Sequence, residues 1–102
     1  MTLLSADDTL AERIRECVLE LLIERGPGRS ICPSEAAHML AARIDYPWQD
    51  LMRAVRTVAA VLDDAGVIEA TQHEALVNIR DVRGPIRLRL RSLHGRRTAL
   101  AS

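Results

Sequence analysis

Apolar residues recur at helical spacing in three stretches of the chain and alternate with polar ones in two later stretches. In "LAERIRECVLELLIERG", Leu10, Ile14, Cys17, Val18, Leu21 and Leu22 fall at intervals of three and four. Arg13, Arg15, Glu16, Glu20 and Glu24 take the other face, so the spacing predicts an amphipathic helix. Ser5 with Asp8, or Thr9 with Glu12, offers a capping box at its start, and the turn at Gly26–Gly28 ends it. "SICPSEAAHMLAARI" opens with Ser30 and Ile31 in an extended conformation that admits a third, very short strand near Ile31. Pro33 suits a first helical position, and Glu35 lies where a helix dipole favours an acid. Ala36, Ala37 and Leu40 form a narrow apolar stripe, and "DYP" at 45–47 is the next break.

"WQDLMRAVRTVAAVLDDAG" predicts the third and longest helix, with Trp48, Leu51, Met52, Val55, Val58, Ala59 and Leu62 on one side. After Gly66 the period shortens to two. "VIEATQ" places Ile68 and Ala70 opposite Glu69 and Thr71, as a strand does. "HEALVNIRDVRGP" reads as a thirteen-residue connector in which Asn78 caps a single turn. In "IRLRLR", Ile86, Leu88 and Leu90 point inward and Arg87, Arg89 and Arg91 outward. One core is expected from Trp48, Leu51, Val55, Leu62, Ile68, Leu88 and Leu90.

This order predicts an α+β fold of the winged helix-turn-helix kind, three helices followed by a two-stranded antiparallel hairpin. Pro33–Arg43 is the supporting helix, Trp48–Ala65 the recognition helix and the hairpin the wing. The domain is expected over residues 5–91, with 92–102 as a loose tail. The blocks "ERGPGRSICPSEAA", "WQDLMRAVR", "GVIEATQ" and "RGPIRLRLR" resemble a bacterial family of small domains of unknown function. The resemblance spans roughly residues 14–91 and implies a winged-helix fold. It brings no activity, substrate or cofactor. Asn78-Ile79 stands where the family pattern leads one to expect Asp-Pro.

At 102 residues there is room for one core. The chain has no Phe, one Trp and one Tyr, so that core must be aliphatic. All fourteen cations are arginines, and the fourteen acids balance them. The balance is uneven along the chain. Residues 1–79 carry seven arginines against thirteen acids, whereas residues 80–102 carry seven arginines against Asp81 alone. Such a split marks a basic end that seeks an anionic partner, unless the two halves neutralise each other within the fold. No apolar run is long enough to span a membrane, and "MTLLSADD" has acids where a signal peptide carries bases. A cytoplasmic protein with reduced thiols is expected.

Parts for catalysis are wanting. Cys17 lies on an apolar face, and Cys32 sits at a helix start with no base placed beside it by any local motif. His38, His73 and His94 are too widely spaced to suggest a metal site, and no phosphate-cradling glycine pattern is present. No enzyme activity, metal or cofactor is expected.

Duplex DNA is the expected partner. Gln49, Arg53, Arg56 and Thr57 fall on the outward face of the third helix near its start, where base edges are commonly read. Arg87, Arg89 and Arg91 form an outward row, and Arg80 and Arg83 in the connector add to it. Glu69 offers a cross-strand partner to Arg87 or Arg89, yet one acid leaves part of the row free. The competing expectation is a non-catalytic protein-interaction or homodimerisation module, with Ala54, Ala60 and Val61 as a small contact patch.

Overall fold

In the computed structural model, which describes residues 6–91 with side chains from Thr9 onward, three helices pack against an antiparallel sheet. Ser5 and the tail expected over 92–102 lie outside the described residues. Helix α1 (Ala6–Arg25) is the longest element, which reverses the expected ranking. Its buried stripe is Ile14, Cys17, Val18 and Leu22, the spacing read from the sequence.

Helix α2 (Pro33–Ile44) follows the two-residue strand β1 (Ser30–Ile31). The Glu35 carboxylate accepts the Cys32 backbone N–H at 2.8 Å and also receives the Arg25 guanidinium, so it caps α2 and ties it to α1. Asp45, at φ 54°, ends the helix in the left-handed conformation that short polar residues tolerate. The third helical segment opens with a 3-10 turn (Trp48–Leu51) before helix α3 (Met52–Asp64). Gln49 and Asp50 therefore precede α3 instead of lying in its first turn. The His38 and Trp48 rings stack at 4.2 Å, joining α2 to this entry turn.

The expected hairpin is one part of a larger sheet. Strands β2 (Ile68–Gln72), β3 (Ala75–Val77) and β4 (Arg87–Leu90) join β1 in the order β1-β4-β2-β3, every pair antiparallel. The extra strand, β3, arises because "HE" makes a two-residue turn with positive φ at both His73 and Glu74. That is the backbone of a type I′ hairpin, usually signalled by Asn-Gly, so its residues gave no warning. Register between β2 and β4 pairs Glu69 with Arg89 and Ala70 with Leu88.

Leu51, Val55, Leu62, Ile68 and Leu88 are buried in one cluster, while Trp48 and Leu90 are half-buried at its edge. Burying each of the larger aliphatic side chains contributes about 1.5–3 kcal/mol. The same cluster takes in Ile79 and Ile86 from either end of the connector, which fastens that segment to the body.

Candidate functional site

The connector between β3 and β4 lies against α3, and this contact shapes the surface around Arg53 and Arg56. Asn78 accepts the Arg80 backbone N–H at 3.0 Å, making the expected turn. Arg56, from α3, donates to the carbonyls of Val82 at 3.1 Å and Gly84 at 3.2 Å. Gln72 donates to the carbonyls of Arg83 at 2.7 Å and Pro85 at 3.1 Å. Gly84 has φ +88°, which glycine adopts freely, and an added Cβ would stand 3.4 Å from the Gln72 amide nitrogen.

Along the outer side of α3 the connector leaves a cleft of about 360 Å³, lined by Arg53, Arg56, Thr57, Ala60, Ile79 and Arg80. Ala60 and Ile79 are buried and form its floor. A second groove of about 350 Å³ runs between α3 and the start of α1, past Leu10, Ala11, Asp50 and Ala54. Arg53 and Thr57 border both, so the first half of α3 stands as a ridge between two hollows. Thr57 donates its hydroxyl to the Arg53 carbonyl at 3.1 Å, which leaves that oxygen as an acceptor.

The strand arginines are spent within the fold. Arg89 pairs with Glu69 at 2.7 Å, and Arg91 pairs with Asp63 at 3.0 Å. Arg87 forms no direct ion pair among the described residues, though its charge acts on Glu35, and its guanidinium donates to the Ser30 hydroxyl at 3.0 Å and to the Ser30 carbonyl at 3.1 Å. The row expected to stay partly free is thus engaged at all three positions. Arg80 grips Asp64 through both terminal nitrogens, at 2.9 and 2.8 Å, and these bonds push its pKa further up. Three acids at the surface of α3 and β2 therefore hold three arginines of the basic segment. The opposite charges of the two halves meet inside one molecule.

What stays uncommitted is a shorter set. Among the described residues the side chains of Arg13, Arg29, Arg53 and Arg83 make no hydrogen bond or ion pair, and that of Gln49 likewise stands exposed without one. Arg53 and Arg83 belong to one neighbourhood, because Arg56 holds the carbonyls on both sides of Arg83. Gln72, Ile79 and Val82 were not singled out from the sequence, although two apolar residues three apart in a polar connector hint at a docked turn. The expected contact patch changes too. Ala60 is covered, Ala54 is partly buried against the core, and Val61 alone is exposed, at 54%.

Cys17 is buried, and that burial pushes its thiol pKa up despite the nearby Arg43. Cys32 accepts the Ser34 hydroxyl at 3.3 Å and stands at the α2 cap. Among the described residues no group of His, Cys, Asp and Glu side chains is arranged to hold a metal. No helix is long and apolar enough to cross a membrane. No curated protein matches the chain. Residues 11–91 match a family described as proteins of unknown function, DUF3253, and the chain belongs to that family.

Proposed function

We propose that this domain is a winged helix-turn-helix of the bacterial cytoplasm that binds duplex DNA without catalysing a reaction, as a transcriptional regulator would. Support for the fold comes from the succession of helices and strands, with β1 joined to the last strand and the connector in the place of a wing. The observation that carries the binding function is the pair Arg53 and Arg83, uncommitted and exposed beside α3. Gln49 and Thr57 flank them with groups that hydrogen-bond base edges. Arg56 keeps its charge, because carbonyls do not cancel it, and serves as a third phosphate contact. Arg89 and Arg91, which pair with Glu69 and Asp63, are assigned to the scaffold.

Two or three phosphate contacts give a salt slope of about −1.8 to −2.7, so affinity falls roughly 10- to 40-fold between 50 and 200 mM salt. The test is a mobility assay on random duplex DNA at those two concentrations. Arg53→Gln and Arg83→Gln should each flatten the slope by about 0.9, and Arg89→Gln should leave it alone. No shift at the lower salt would reject DNA.

A second function, as a protein-interaction or dimerisation module, draws on α1. Its outer face exposes Ile23 by 70% in a shallow groove with Leu19, Glu16, Glu20 and Glu24. Exposed apolar area rimmed by charge is a feature of interaction surfaces.

A further inference from the structure

We propose that the cleft between α3 and the connector binds a small phosphate monoester with a compact apolar body. The site shares Arg53 and Arg56 with the DNA-binding face but does not depend on it.

Two of its three guanidiniums are already held in place. Arg56 is fixed by the Val82 and Gly84 carbonyls, and Arg80 by Asp64. Each spends two of its five N–H donors on those partners and keeps three. Arg53 spends none, so it is free to close over a ligand. Donors fixed before the ligand arrives bind at a lower entropic cost than mobile ones.

Charge selects the head group. Arg53, Arg56 and Arg80 against Asp64 leave the cleft at +2. Asp63 is turned to Arg91, Asp50 borders the other groove, beyond Arg53, and Asp81, whose charge also acts on Arg80, is offset by Arg83 two residues along the connector. A carboxylate or a phosphodiester supplies one negative charge. A phosphate monoester supplies −1.5 to −2 near neutral pH, since its second pKa is about 6, and guanidinium forks match its oxygens.

The floor selects the rest. Ala60 and Ile79 offer no hydrogen-bonding side chain, so an apolar body suits the floor. A volume of about 360 Å³ corresponds to roughly a dozen waters, which is room for a phosphate and one six-membered ring. Ligand and duplex would compete for Arg53.

Titrating the full chain with phenyl phosphate by calorimetry, beside phenylacetate, tests the site. Phenyl phosphate should saturate below about 10 mM and bind about tenfold more tightly than phenylacetate. Arg53→Gln, which removes no internal contact, should weaken it about tenfold, with Arg53→Lys recovering part of the loss. Lowering the pH from about 7.5 to about 5 should weaken it further, as the ester loses its second charge. Absence of saturation, equal binding of phenylacetate, or indifference to Arg53 would overturn the site. Phenyl phosphate binding without a DNA mobility shift removes the DNA function and keeps the cleft. A mobility shift without phenyl phosphate binding does the reverse.

Discussion

Arg89 and Glu69 face each other directly across β4 and β2, and their side chains close to 2.7 Å. The cross-strand pairing with Glu69 that the sequence offers to Arg87 or Arg89 falls to Arg89. The Glu69 side chain is 17% exposed and that of Arg89 40%, so water screens much of the attraction. A double-mutant cycle of Arg89→Ala and Glu69→Ala, followed by urea unfolding, should give a coupling of about 0.2–1 kcal/mol that shrinks with salt. A coupling near zero would mean that the pair is incidental.

The turn at His73-Glu74 holds two non-glycine residues at φ 53° and 68°. Left-handed backbone costs about 1–2 kcal/mol for each such residue, and Asn-Gly relieves most of it. The double substitution His73→Asn and Glu74→Gly should raise the unfolding free energy by about 1 kcal/mol. Unchanged stability would indicate that neither residue is strained.

Glu35 should set an acid limit on stability. Its burial raises the carboxyl pKa, but hydrogen bonds from Arg25 and the Cys32 backbone, with the Arg25 charge, outweigh that and lower it overall. A lowered folded-state pKa means that the contribution is full above the unfolded value near 4.3 and is lost as pH falls through the folded value. Glu35→Gln should cost about 0.5–2 kcal/mol at neutral pH, the range for a lost cap, and should flatten the decline in stability below about pH 5. Equal acid sensitivity in the variant would place the limit elsewhere.

Gln72 and Gly84 are expected to control the connector together. Gln72→Ala removes two hydrogen bonds to carbonyls and should cost about 1–2 kcal/mol, with faster amide exchange at residues 80–85. Gly84→Ala should cost about 1–2 kcal/mol from its positive φ alone. If exchange in the connector matched the parent chain in both variants, the core contacts of Ile79 and Ile86 would be its real anchor.

The helices were legible because each buries an unbroken stripe, as Ile14, Cys17, Val18 and Leu22 do in α1. Strand β4 was legible from the alternation of Leu88 with its arginines. Strand β3 was not, since Ala75 and Leu76 are both exposed and its turn lacks glycine. The candidate site was half legible. Arg53, Arg56 and Thr57 do share one cleft, but which arginines are spent depends on register and on partners far along the chain, such as Asp63 with Arg91. Alternation shows which face a side chain takes and is silent on what waits there.

The place of β4 bears on how the chain is made. It lies between β1 and β2, so one of the two inner strands of the sheet is also the last of the described strands to leave a ribosome. Until Leu90 emerges, β1 has no neighbour and β2 has only β3. The helices can form as they are synthesised, but Ile31 must wait for Leu88 and Ile68 for Leu90, because their pairing is long-range and slow to close. A nascent chain stalled before residue 87 should therefore hold its helices in a loose, protease-sensitive state, and release of four more residues would be the event that locks the fold.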